Sequence, residues 1–310
     1  MERTPPHLGP RLRRGSVGLL AGALLAACGG DANDLATPAC TGKAGFAGES
    51  VRGITSGGRV RRFRLTVPGF YDPARPAPLV FDFHGFDSDS AEQQLRSEMR
   101  ASGEANGYVV VTPDGFEKGW NAEVCCGATV GLGVDDVQFV RDMIATVEAD
   151  YCIDPDRIHA AGYSNGGLFS TLLACRADDL IASAAAVAAA SLEAARCEPS
   201  RPVALLFLNG TADPVVPYAL AAQASVDVWR AIDGCTGAPV STYAQGDSSC
   251  ESLQDCAAGT EVALCTIEGG GHTWPGGGDF PSFLGPKTED LSATDAIWDF
   301  FRAHPRPPRS

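Results

Sequence analysis

The stretch Arg157-Ile-His-Ala-Ala-Gly-Tyr-Ser-Asn-Gly-Gly-Leu168 decides the fold of this 310-residue chain. Arg157 to Ala161 reads as a buried strand, and Leu168 and Leu172 mark a helix that begins within a few residues of its end. A strand that turns this abruptly into a helix packs its backbone closely at the bend, where Gly162, Gly166 and Gly167 carry no side chain to obstruct it. Such a bend pushes Ser164 out of the sheet, with the amino end of the helix beneath it. Glycine, any residue, serine, any residue, glycine is a weak pattern alone. Its place between strand and helix gives it weight.

Outward from the bend, short apolar runs alternate with helical patterns. Phe63, Leu65 and Val67 alternate with polar residues over 59–67, the period of a half-exposed strand. Residues 79–83 and 108–112 are apolar runs ending in His84-Gly85 and Pro113-Asp-Gly115. Val137, Val140, Ile144 and Val147 predict an amphipathic helix over 135–149. Further strands are expected within 181–190, at 203–208 and at 262–267, with Leu220, Ala224, Val228 and Ile232 facing one side of a helix. Ile297 and Phe301 share a face of the final helix. Strands apolar on both faces, separated by helices, predict one α/β domain with a mainly parallel sheet covered on both sides.

A serine hydroxyl needs a base within hydrogen-bond reach to act as a nucleophile. Of the five histidines, His7 lies in the leader, His304 in a polar tail and His159 inside a strand. His84, at a strand end, reads as a turn-stabilising hydrogen bonder. His272 remains, in the glycine-rich loop 269–278 after the last strand. Asp213 follows the strand 203–208, at the carboxyl edge of a parallel sheet, and is the expected acid behind the base. Its other reading is an ordinary Asp-Pro turn. Serine, acid, histidine in that order is the order of the α/β-hydrolase triad. The negative charge that develops on a substrate oxygen needs fixed donors, and the backbone N–H groups of Asn165 and Phe86 are the candidates. Trp274, with Trp120 and Phe86, would line an aromatic slot; plain core packing is the competing reading. Asp82, mid-strand before His84, is odd in an apolar run and suggests an arginine partner.

Composition fits an enzyme or a binding module. With 45% hydrophobic and 20% charged residues the chain can bury a core, and its net charge of −14 excludes a nucleic-acid partner on electrostatic grounds. Basic residues at 11, 13 and 14, the apolar run 17–27 and the ending Leu25-Ala26-Ala27-Cys28 form a secretory leader whose end resembles the lipobox of bacterial lipoproteins. That resemblance implies a signal peptide over 1–27, a lipid on Cys28 and a tether to residue 39. The protein would then be exported and lipid-anchored at the outer membrane or cell surface, touching membrane through the lipid only. An ordinary signal cut near Ala27 would instead give a secreted protein. Without the leader the remaining 283 residues carry −17, since Arg3, Arg11, Arg13 and Arg14 outnumber Glu2 by three. Eleven cysteines are an odd number; setting Cys28 aside leaves ten, enough for five disulfides. No Cys-x-x-Cys or paired histidines suggest a metal.

Several stretches in order carry a resemblance: His84-Gly85, Trp120 with Cys125-Cys126-Gly127, Val134-Asp-Asp-Val137, Gly162 to Gly167, Gly210-Thr-Ala-Asp-Pro-Val-Val-Pro-Tyr218 and Gly271-His-Thr-Trp-Pro-Gly276. Together they resemble the secreted poly(3-hydroxybutyrate) depolymerase-like esterases, which include feruloyl and acetylxylan esterases. The likeness covers about residues 40–303, before a Pro-rich tail over 304–310. It implies a disulfide-stabilised α/β-hydrolase fold, a Ser164–His272–Asp213 triad, a Cys175–Cys197 bridge and carboxylic-ester hydrolysis without metal or cofactor. The remaining cysteine pairing stays open, with 235, 250, 256 and 265 suggesting a pinned excursion near His272. Substrates are expected among plant cell-wall-type esters. A polyester-oligomer depolymerase is the alternative, and a non-catalytic surface binding lipoprotein is a further one.

Overall fold

Residues 40–307 are described by the computed structural model. The leader, Cys28, the tether and residues 308–310 lie outside the described residues. Ten strands form one sheet in the order β1-β2-β4-β3-β5-β6-β7-β10-β9-β8. They are β1 (Gly48–Ser56), β2 (Arg59–Val67), β3 (Ala77–Phe83), β4 (Val109–Pro113), β5 (Ile153–Tyr163), β6 (Ser183–Val187), β7 (Ala204–Gly210), β8 (Val240–Gln245), β9 (Ser248–Leu253) and β10 (Val262–Ile267). The six strands from β4 to β10 run parallel, and antiparallel pairs flank them on both edges. The chain runs from β3 outward to β4, then returns to lay β5 on the other side of β3. That reversal makes the carboxyl ends of β3 and β5 the topological switch point, the place where α/β sheets bind ligands.

Among the described residues seven α-helices accompany these strands: α1 (Ser90–Ser97), α2 (Met99–Asn106), α3 (Ala128–Gly131), α4 (Asp136–Asp150), α5 (Asn165–Arg176), α6 (Tyr218–Ile232) and, after the last strand, α7 (Ala293–Ala303). Side chains alternate across each central strand, so two cores form. Leu79, Phe81 and Phe83 of β3 with Leu205 and Phe207 of β7 meet Phe139 of α4, Phe169 of α5 and Trp229 of α6. Val80, Ala161, Leu206 and Leu208 meet Met99 of α2 and Ile297 and Phe301 of α7. The α/β domain with a mainly parallel sheet expected from the strand and helix periods is therefore present, and it fits the α/β-hydrolase fold that the resemblance implies.

Details differ from the sequence reading. In α6 the buried stripe is Ala221, Ala222, Ser225, Val226 and Trp229, while Leu220 is exposed. Small residues bring that helix close to the sheet, and Trp229 fills the space that remains. The excursion holding the extra cysteines is the β8–β9 hairpin, which adds two strands beyond β10. It is pinned by Cys250–Cys265, between partners in the β9–β10 register, and by Cys235–Cys256. Cys40–Cys152, Cys125–Cys126 and Cys175–Cys197 complete five bridges. Cys40–Cys152 closes a separation of 112 residues, a loop length for which chain entropy in the unfolded state alone gives about 4–5 kcal/mol. The start of the Pro-rich tail is docked: Arg306 is buried and binds Asp156 at 2.8 Å, and His304 faces Glu261 at 3.3 Å.

Asp82 has no arginine partner among the described residues. It faces the α1–α2 side, where Gln93 Nε2 donates to one carboxylate oxygen at 2.7 Å and Ser97 Oγ to the other at 2.6 Å. Burial outweighs these bonds and pushes its carboxyl up to about 7. Between the ordinary carboxylate range and that value the unfolded chain gives up a proton that the folded chain keeps. The stability Asp82 contributes is thus intact below about pH 4 and lost as pH rises through about 7. Asp82→Asn removes the titration. Its Tm is expected to gain on wild type more near pH 8 than near pH 5, and equal gains at both would contradict this.

Candidate active site

Four parallel strands deliver the candidate residues to one edge of the sheet. β5 ends at Tyr163 and α5 starts at Asn165, so Ser164 alone forms the bend, at φ 54° and ψ −117°. A non-glycine residue at positive φ is strained there, and neighbouring structure must hold it. Ser164 N–H donates to Val187 O at 2.9 Å, fixing the bend to the end of β6. The glycines around it are sterically required. A Cβ on Gly162 would lie 2.3 Å from Gly166 O, and one on Gly166 would lie 2.3 Å from Phe83 O.

His272 Nε2 lies 2.9 Å from Ser164 Oγ, and its Nδ1 lies 2.7 Å from Asp213 Oδ2. Asp213 comes from the turn after β7, where its other oxygen accepts the N–H groups of Val215 and Val216, both at 2.8 Å. It is both a turn-former and the partner of the histidine. His272 stands in the loop after β10, and that loop is firmly held. Its N–H donates to Leu284 O at 2.6 Å, and its carbonyl accepts the Tyr163 hydroxyl at 2.7 Å. A Cβ on Gly271 would lie 2.2 Å from Leu284 O, so glycine lets the segment 282–286 close over the backbone beside His272. Nδ1 toward the carboxylate and Nε2 toward the serine is the arrangement in which imidazole can take the hydroxyl proton while Asp213 stabilises the cation.

The two candidate oxyanion donors flank the serine. The Asn165 N–H opens α5 and the Phe86 N–H follows β3; neither has a hydrogen-bond acceptor among the described residues. The loop bearing Phe86 runs against the serine, since a Cβ on Gly85 would lie 3.4 Å from Ser164 Cβ. The Phe86 ring rests over Gly119 and Gly127 and is half exposed. Trp120 and Trp274 do not line a slot. Both are fully buried, and each indole N–H is satisfied internally, on His84 O at 2.9 Å and on Thr294 Oγ1 at 3.0 Å. The exposed apolar side chains beside the site are instead Phe86, Val215 next to Asp213, and Phe283 in the segment that covers His272.

Among the described residues, His84 and His159 are structural. His84 Nε2 accepts the Gly115 N–H at 2.8 Å, which leaves its proton on Nδ1 to donate to Gly85 O at 2.7 Å. His159 is buried against the Phe301 ring, and burial lowers it to about 3, so it stays neutral. Among the described residues no group of three or more His, Cys, Asp or Glu is placed to hold a metal. Sequence reasoning missed the roles of Tyr163, of the Asn165 side chain and of the segment 282–286, whose partners are more than a hundred residues away for Tyr163 and otherwise set by loop packing.

No family model matches the chain. Among curated proteins it is 31% identical over 234 residues to feruloyl esterase B of Piromyces equi, matching 68% of this chain and 42% of that longer protein. It is 27% identical to feruloyl esterase D of Neurospora crassa, over 79% of this chain and 82% of that one. Among solved structures it matches the acetyl xylan esterase from Aspergillus awamori with a TM-score of 0.59 and 14% identity, over 82% of this chain and 99% of the other. The chain is similar to feruloyl esterases and carries the α/β-hydrolase fold. The ferulic acid esterase of Anaeromyces mucronatus shares the fold of this feruloyl esterase-like chain at a TM-score of 0.55 and 16% identity, over 84% and 92% of the two chains.

Proposed function

We propose that this feruloyl esterase-like chain is a serine carboxylic-ester hydrolase acting through an acyl-enzyme on plant cell-wall-type esters, feruloyl or acetyl. The observation that carries the reading is the unbroken hydrogen-bonded line from Ser164 Oγ through His272 to Asp213. Ser164 Oγ attacks the ester carbonyl carbon as His272 Nε2 takes its proton. The N–H groups of Asn165 and Phe86 receive the oxyanion of the tetrahedral intermediate. When that intermediate collapses, the C–O bond to the alcohol breaks and the imidazolium gives its proton to the leaving oxygen. Water then repeats the steps on the acyl-enzyme, releasing the acid and restoring the Ser164 hydroxyl.

The relatives named above, a feruloyl esterase and an acetyl xylan esterase among them, support the substrate class. Export belongs to the same proposal: five disulfides suit an oxidising compartment, and the leader with Cys28 supplies the route and the anchor. Purified protein is expected to hydrolyse methyl ferulate or an acetylated xylo-oligosaccharide with kcat/KM at least about tenfold above that for a 3-hydroxybutyrate oligomer, roughly 1.4 kcal/mol of transition-state preference. The reverse ranking would make it a polyester-oligomer hydrolase. Binding of these esters without turnover would make it a non-catalytic module.

A further inference from the structure

The two proposed oxyanion donors sit on separate loops, one after β3 and one opening α5, and both are linked to Trp120. Its indole N–H donates to His84 O at 2.9 Å, in the loop that carries Phe86. Its backbone N–H donates to Asn165 Oδ1 at 2.7 Å, and its carbonyl accepts from Asn165 Nδ2 at 3.1 Å. Asn165 Nδ2 also reaches Cys125 O at 3.1 Å, so one side-chain amide grips both ends of the segment 120–125. The His84 ring ties the same loop to Gly115, and burial lowers its basicity and keeps it neutral in that role. On the far side, Asp136 accepts the Asn121 N–H at 2.8 Å and pairs with buried Arg61 at 2.8 Å. The Trp120 ring lies stacked on Phe169, 5.3 Å between centroids, and edge-on to Phe83 at 5.1 Å. The ring is fully buried between them.

We propose that Trp120 is a positioning residue for the oxyanion hole. Its indole N–H and its main chain act as a strut that sets the separation of the Phe86 and Asn165 peptides before substrate arrives. The proposal rests on the serine-hydrolase reading and adds to it the device that preforms the hole. Donors fixed in advance stabilise charge that exists only in the transition state. Loosening them should therefore lower kcat and leave KM almost unchanged. Fully buried, Trp120 does not line an aromatic slot; it works one layer behind the substrate.

Trp120→Phe keeps an aromatic ring and removes the N–H. It is expected to lower kcat about 10- to 100-fold with KM within about twofold. Its affinity for a trifluoromethyl ketone, which forms a tetrahedral adduct on the serine, should fall by the same factor as kcat/KM. The control is Trp229→Phe, which loses a comparable buried bond, Nε1–H to Ser191 Oγ at 2.8 Å, beneath α6; its kcat should stay at the wild-type value. Asn165→Asp keeps the backbone N–H and one acceptor but loses both side-chain donors, and should lower kcat as Trp120→Phe does. Wild-type kcat in Trp120→Phe, or equal losses in the two tryptophan variants, would reduce Trp120 to core packing. If Trp120→Phe does not fold, Asn165→Asp decides alone, and a wild-type kcat there overturns the strut. An inert Ser164→Ala beside a fully active Trp120→Phe sinks the strut only. An active Ser164→Ala removes the reaction it serves.

Discussion

Replacing Ser164 with alanine is expected to lower kcat on methyl ferulate or an acetyl ester by about 10⁴- to 10⁶-fold. The residual rate over water would come from the oxyanion donors and from binding, both of which survive the change. The fold should survive too. Ser164 contributes its N–H to Val187 O, a backbone bond that alanine retains, and its hydroxyl meets only His272 in the described structure. The positive φ at the bend is as tolerable for alanine as for serine. Tm should therefore move little while turnover vanishes, and steady-state kinetics with a melting curve on the same sample checks both.

Asp213→Asn is expected to cost about 10⁴ in kcat with little change in structure. The reason is directional. Oδ1 of Asp213 accepts two backbone N–H groups, from Val215 and Val216, so an asparagine keeps its carbonyl oxygen there and turns its NH₂ toward His272. An NH₂ group facing Nδ1 forces the imidazole proton onto Nε2, the nitrogen 2.9 Å from the serine hydroxyl. A base that already carries its proton on that side cannot take another. Raising the pH should not rescue the variant, because the wrong tautomer and not the charge state is at fault. Recovery of wild-type kcat at alkaline pH would contradict this account of Asp213.

The central features were readable because they depend on local chemistry. The glycines around Ser164, the buried strand before it and the carboxyl-edge placement of Asp213 follow from short-range sterics and strand period. Neither edge of the sheet was readable. β8 is almost wholly exposed and β1 mostly so, and neither shows the apolar alternation that marks a strand. Their pairing is set by β9 and β2 and not by their own sequence. Trp120 and Trp274 were misplaced because a tryptophan beside a catalytic loop has the same sequence signature whether its ring faces substrate or core. What decides is where its N–H finds an acceptor, and His84 O and Thr294 Oγ1 are known only once the chain is folded. Asp82 likewise met Gln93 and Ser97, since α1 turns those side chains toward β3. The α6 stripe was ambiguous because two sets of residues spaced by three and four compete on that helix. The set with alanine, serine and tryptophan allowed the closer approach.

An activated hydroxyl at Ser164 is what a fluorophosphonate probe reads directly. Intact wild-type protein should acquire one adduct, located by peptide mass spectrometry on Ser164. The adduct should be missing from Ser164→Ala and strongly slowed in Asp213→Asn. Folded wild-type protein that stays unlabelled, or that labels on another residue at an equal rate in Ser164→Ala, would contradict the proposed chemistry.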